Sequence, residues 1–304
     1  MQVWGVGEIL WDIFPDEERL GGAPCNFCAN LQRLGDAAML LSAVGRDQRG
    51  EAALARMAHL NLNTRYIQTV EGAPTGTALI HTNLIGEASF SIPRPAAFDL
   101  LSISTEDNLD TSAMDWLYFG TLMQTEPAIE RLTTRLAKAL PSGRCFYDVN
   151  LRGSHWNFPL VERLSRLTSI LKLNREEAET IFRVAHDSSR FSLEEFSGTW
   201  TTTYGVDLVC VTLGAAGVFV FHDGVAHRIA GYRVPVLDTV GAGDAFSAAF
   251  LHGYQRGWAI EYTARFANAL GALVASRAGA TPDWTIDECQ ALMEEQRFVD
   301  AVQT

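Results

Sequence analysis

Lysine is nearly absent: the 304-residue chain carries it only as Lys138 and Lys172. Neither lies in a glycine-rich loop and no GxxxxGK[ST] run occurs, which excludes the phosphate-gripping lysine loop of P-loop enzymes. Basic charge is short as well, with 24 Lys and Arg against 36 Asp and Glu and a formal net charge of -12. Nucleic-acid and anionic-membrane surfaces need clustered cations, so neither partner is expected. Long apolar runs are also missing. No stretch reaches the roughly 20 apolar residues that span a bilayer. Met1-Gln2-Val3-Trp4-Gly5 has neither the basic nor the apolar part of a secretion signal, so the expected location is the cytoplasm. Cysteine is sparse and odd in number, at Cys25, Cys28, Cys145, Cys210 and Cys289. That pattern points to reduced, buried thiols. Cys25 and Cys28 form a CxxC, yet no second CxxC or nearby His pair completes a zinc site, so packing on one helical face is the favoured reading. The seven histidines are scattered without metal spacing.

What is present suits a folded protein, since 47% hydrophobic and 20% charged residues can build a core without a disordered majority. The length admits two domains or one α/β domain with a small appendage. Short β-rich runs at 2–10, 38–44, 116–120, 145–150, 168–173 and 207–213 alternate with helical patterns at 24–34, 51–60, 127–140, 159–167 and 175–185. Such alternation predicts a parallel sheet between two helical layers. Two further helices are expected over 243–277, parted near Gly257. Residues 75–92 break the rhythm with two strands around a turn and no helix between them. A hairpin joins a parallel sheet poorly and is expected to project as a flap.

Chemistry concentrates in Leu237-Asp238-Thr239-Val240-Gly241-Ala242-Gly243-Asp244-Ala245-Phe246, where a glycine-rich loop turns into a helix. The unpaired N–H groups and positive dipole end of a helix start favour an anion such as phosphate. A carboxylate aimed at that anion would repel it, so Asp244 makes better sense as a base that takes a proton from an attacking hydroxyl. A plain turn with an aspartate helix cap is the competing reading of these ten residues. Gly21-Gly22-Ala23-Pro24-Cys25-Asn26 also precedes a helix. Its glycines allow close backbone approach, and the Asn26 amide with the Asp12 carboxylate suits a polyhydroxylated ligand; the alternative is a tight turn. Asp12, Asp148, Asn150, Asn174 and Gly214 fall at or just beyond strand ends, where open parallel sheets gather ligands.

Five motifs recur in order. Gly21-Gly22-Ala23-Pro24-x-Asn26 with Leu31-x-x-Leu34-Gly35, Val44-Gly45-x-Asp47-x-x-Gly50, Asp148-x-Asn150-x-Arg152, Asn174-x-x-Glu177, and Asp238-Thr239-x-Gly241-Ala242-Gly243-Asp244 resemble the ribokinase (PfkB) family of carbohydrate kinases over nearly the whole chain. GGAPxN is similar to the fructokinase branch. The resemblance implies a three-layer α/β/α ribokinase-like core with a mainly parallel sheet, in a single domain over 1–304. A small β lid would come from about 12–22 and about 71–98. It implies Asp244 as catalytic base, with the N–H groups of Gly241, Ala242, Gly243 and Asp244 as the phosphoryl anion hole. Asp12, Gly21, Gly22, Asn26 and Arg152 would bind the sugar, with Arg94 as a weaker candidate. Thr212, Gly214, Gly217 and Asn268 would hold ATP, and Asn174 with Glu177 would order Mg²⁺ through water, an ion that dehydrates reluctantly. Asp238 matches a position that binds a monovalent cation such as K⁺ in relatives.

The expected reaction is therefore ATP-dependent phosphorylation of a primary hydroxyl of a ketohexose, with fructose first. 2-Keto-3-deoxygluconate, ribose and nucleosides are the alternative acceptors, and a non-catalytic sugar or nucleotide sensor is the alternative class. An exposed lid edge would favour a homodimer.

Overall fold

In chain order the strands are β1 (Gln2–Val6), β2 (Leu10–Ile13), β3 (Glu18–Gly21), β4 (Ala37–Gly45), β5 (Ile67–Val70), β6 (Gly76–Thr82), β7 (Ala88–Ser91), β8 (Trp116–Gly120), β9 (Cys145–Asp148), β10 (Ile170–Asn174), β11 (Leu208–Thr212), β12 (Val218–His222) and β13 (Val225–Ile229). The helices are α1 (Ala23–Arg33), α2 (Gln48–His59), α3 (Pro127–Ala139), α4 (Phe158–Ser165), α5 (Arg175–Ala185), α6 (Leu193–Tyr204), α7 (Ala242–Gln255), α8 (Ile260–Ala275) and α9 (Ile286–Val302). This computed structural model describes all residues except 83–87, 104–108, 142, 187–189 and 303–304.

Nine strands form one sheet in the order β13-β12-β11-β10-β9-β8-β1-β4-β5. The pairs from β11 to β5 are parallel, and the β12–β13 hairpin adds antiparallel strands at one edge. Side chains along a strand alternate between faces, so each strand feeds two cores. Val3 and Tyr118 join the core under α1, α7 and α8. Their neighbours Trp4, Leu117 and Phe119 join the core under α3 to α6. The expected three-layer α/β/α arrangement is present. Cys25 and Cys28 are buried on α1 in the first core, free of any disulfide. Burial pushes the Cys25 thiol up to about 12, which keeps it inert.

The expected single strand over 2–10 is two. The chain leaves the main sheet at Gly7, where a Cβ would run into the Pro24 ring, and resumes as β2 in a second sheet of order β3-β2-β6-β7. There β2 pairs antiparallel with β3 and parallel with β6, and β6 pairs antiparallel with β7. The two strands expected over 75–92 thus pair outside the main sheet, and their turn at 83–87 lies outside the described residues. Asp47 anchors this sheet to the core: it accepts from Gly50 N at the start of α2 and from Thr75 N just before β6, both at 2.8 Å. No described helix is long and apolar enough to cross a membrane.

Candidate active site

Gly241 immediately precedes helix α7; its φ of 78° places it in the left-handed region and its missing Cβ lets Ala280 pack against it. No side chain caps the helix start. Ala242 N donates to Thr239 O at 3.3 Å, so it is drawn away from the expected anion hole. The next amides, of Gly243 and Asp244, have no intrahelical acceptor by helix geometry and remain for an anion.

The Asp244 side chain is buried and accepts from Asn26 Nδ2 on α1 at 2.8 Å. Burial, and then the nearby Asp148 carboxylate, push its pKa up to about 7 against the opposing pull of Asn26, Lys172 and Arg152. A carboxylate poised near neutrality can take a proton from an alcohol and give it up again.

A group of polar residues lies on the small-sheet side of Asp244. Asp12 on β2 is buried, and that burial raises its pKa to about 6, opposed chiefly by Arg152. The positive charge of Arg152 opposes the burial-driven rise at Glu8, Asp12 and Asp244 alike. Gly21 has no room for a Cβ beside the Asp12 carboxylate, and Gly22, at φ 103°, has none beside the Glu8 carbonyl. The expected sugar-side residues Asp12, Gly21, Gly22, Asn26 and Arg152 are thus brought together. The Arg94 guanidinium also bears on Glu8, and it is engaged by Asp99, Glu126, Thr125 Oγ1 and the Leu122 carbonyl.

On the other side of the α7 start lies a cavity of about 540 Å³ that gathers Thr212, Gly214, Gly217, Gly243 and Asn268. Phe246, Tyr232 and the small residues Gly271, Ala272 and Ala275 complete an apolar slot suited to a flat ring. Asn268 shapes this slot by donating to the Ala230 carbonyl at 3.1 Å. Asn174 does not line the slot. It caps α5, accepting from Glu177 N at 2.9 Å while Glu177 accepts from Asn174 N at 2.8 Å. Glu177 is buried and also accepts from Leu151 N at 2.8 Å. Both Glu177 oxygens therefore have backbone partners, and the lone pairs that remain suit water-mediated contact with a metal better than direct ligation. No cluster of three or more His, Cys, Asp or Glu that could hold a metal occurs among the described residues. The residues thus fit a magnesium ion carried largely by phosphate oxygens and waters.

Asp238, the expected cation-side residue, is held by N–H donors. Its carboxylate accepts from Arg19 Nη1 at 2.7 Å, from Gly279 N at 3.0 Å and from Val240 N at 3.0 Å. Lys172 is the residue that sequence reasoning missed. Its Nζ lies 3.0 and 3.1 Å from the two Asp148 oxygens and 3.2 Å from the position a Cβ on Gly243 would take. Ser247 donates to the same Asp148 at 2.8 Å. Burial alone would push the Lys172 ammonium down, but Asp148, Glu177 and Asp244 outweigh it and hold the ammonium above the ordinary lysine value. The available signal was Lys172 on an apolar strand two residues before Asn174, a place where an unpaired lysine would be costly.

The chain is similar to known proteins in both sequence and fold. The sequence profile of the pfkB family carbohydrate kinases matches residues 15–287. The fructokinase of Escherichia coli is 30% identical over 266 residues, covering 83% of this chain and 84% of that protein. The crystal structure of fructokinase with bound ATP from Xylella fastidiosa superimposes with a TM-score of 0.85 at 25% identity, covering 97% of this chain and 99% of that one. The fold also matches 2-dehydro-3-deoxygluconokinase from Thermotoga maritima, with a TM-score of 0.82 at 21% identity and the same coverage. With a buried carboxylate at an open helix start and a match spanning nearly all its motifs, the chain belongs to the pfkB family of carbohydrate kinases, a sugar phosphotransferase on the fructokinase-like branch.

Proposed function

We propose that this chain transfers the γ-phosphoryl group of ATP to the primary 6-hydroxyl of fructose. The observation that carries the reading is the position of Asp244, between the polar residues Asp12, Asn26 and Arg152 and the cavity that opens at Gly243. In this reading Asp12, Asn26 and Arg152 hold the sugar hydroxyls, and Asp244 accepts the proton of the attacking one. The amides of Gly243 and Asp244 receive the transferred phosphoryl group, while Thr212, Gly214, Gly217 and Asn268 position the nucleotide. Bound magnesium supplies charge neutralisation between the phosphates, and Glu177 would hold its waters. The small sheet serves as the lid of a single domain and excludes water, which would otherwise accept the phosphoryl group. The E. coli fructokinase match supports the acceptor, and the five buried free cysteines fit a cytoplasmic enzyme.

ADP release should be measured across fructose, other hexoses, 2-keto-3-deoxygluconate, ribose and nucleosides. Fructose is expected to show the highest kcat/KM. A higher value on the keto acid would move the chain to another acceptor, and tight binding without turnover on any of them would favour a sensor. The proposal includes a homodimer through the small sheet, whose order leaves β3 and β7 as edge strands. Light scattering that reads a single chain at working concentration would remove the dimer.

A further inference from the structure

The resemblance leaves Asp238 as a seat for a monovalent cation, and the structure fills that seat differently. Such an ion is held by oxygens that replace its hydration shell. The groups that hydrogen-bond to the Asp238 carboxylate are Gly279 N, Val240 N and the Arg19 guanidinium, whose positive charge stands where such an ion would bring its own. Arg19 and Asp238 are partly buried, with side-chain exposures of 27% and 15%. The guanidinium is held from two further sides, by an ion pair with Glu17 and by the Phe14 ring 4.8 Å away.

Register explains why the arginine arrives there. On antiparallel strands β2 and β3, Asp12 stands directly opposite Arg19, so both side chains lie on the same face of the small sheet. Asp12 is buried on the side proposed for the sugar, and Arg19 reaches the loop ahead of α7. Gly279 carries no side chain, and a Cβ there would touch Arg19 Cδ at 3.6 Å. The next residue, Ala280, packs against Gly241, the first residue of the anion-binding turn. A positive charge at Asp238 therefore bears on the backbone that aims the Gly243 and Asp244 amides.

We propose that Arg19 is a built-in cation for this loop: its guanidinium supplies at Asp238 the charge that a bound potassium ion would otherwise supply, so turnover does not call for a monovalent cation. Arginine stays charged across the working pH range and its fork-shaped donors are fixed in direction, so the loop is held ready without an ion. Arg19 acts here as a positioning residue. The inference rests on the kinase reading, and its test separates the two.

Phosphorylation of fructose by Mg·ATP should be followed in potassium chloride and in choline chloride at equal ionic strength, with calorimetric binding of Mg·ADP in both salts as a second readout. Wild-type rates and affinities are expected to agree within about twofold. Arg19→Ala is expected to lose turnover and nucleotide affinity in choline and to regain about fivefold or more with potassium, the range in which one ligand couples to another. Arg19→Lys keeps the charge and is expected to remain indifferent to the salt. Strong potassium activation of the wild-type enzyme would overturn the proposal, as would an Arg19→Ala variant with the wild-type salt profile. If Arg19→Ala fails to fold, the wild-type comparison decides alone. If no acceptor turns over in either salt, the kinase reading fails while the calorimetric comparison still decides the role of Arg19.

Discussion

Asp244→Asn is expected to lower kcat by about a hundred- to ten-thousand-fold, the usual contribution of a positioned base. Nucleotide affinity should stay close to wild type, because the cavity beyond Gly243 is lined by other residues. An asparagine oxygen can still accept from Asn26, so the local geometry survives and the loss reports on the proton. Near-wild-type turnover would remove Asp244 from the reaction. The wild-type enzyme adds an independent signature. With a pKa of about 7, the fraction of Asp244 able to accept a proton rises as pH climbs through neutrality, and kcat/KM should rise with it. Stability runs the other way. The folded pKa lies above the ordinary value of 3.8, so the folded protein holds the proton more tightly. The resulting stabilisation is complete below pH 3.8 and is lost as pH rises through about 7. Asp244→Asn removes that dependence, and its Tm at pH 8 should exceed the wild-type value by a few degrees, roughly 2–6 °C. Loss of activity with gain of stability is the pattern expected of a strained catalytic group.

Lys172→Met should have the largest effect on stability. Among the described residues, the change leaves the Asp148 carboxylate fully buried with the Ser247 hydroxyl at 2.8 Å and the Tyr118 hydroxyl at 3.3 Å. Removing one partner of a buried ion pair costs about 3–5 kcal/mol, because the other charge stays behind unpaired. Urea denaturation should read that loss as a lower midpoint with little change in slope. Asp148→Asn added to Lys172→Met should recover much of it, a non-additivity characteristic of contacting residues. Additive losses would show that the pair does not act as a unit. Wherever Lys172→Met folds, its pH profile should also move: the ammonium opposes the rise in the Asp244 pKa, so activity should need a higher pH.

Much of the fold was legible in the chain because it rests on short-range pattern. The helix α7 and its successor α8, with Gly257 between them at φ 70°, follow from a glycine that ends one helix in the left-handed conformation. The apolar strands alternate with amphipathic helices, and that rhythm is the α/β/α core. The split of residues 2–10 into β1 and β2 was not legible. It depends on the Pro24 ring standing over Gly7, a contact between separate elements. In the same way Asn174-x-x-Glu177 reads as a metal motif by resemblance, and only the structure adds that the pair also caps α5 and ties down Leu151.

The sequence by itself determined the layered α/β class, the family, and the residues that meet around the start of α7: Asp12, Asn26, Arg152 and Asp244. Motif order and spacing carry that information along the chain. Only the tertiary structure decided what the charges do. Lys172 reaches Asp148 across 24 residues of sequence, and Arg19 reaches Asp238 across 219. Such pairings depend on which strands lie side by side and on how far water is excluded between them, and neither quantity is written in local residue spacing.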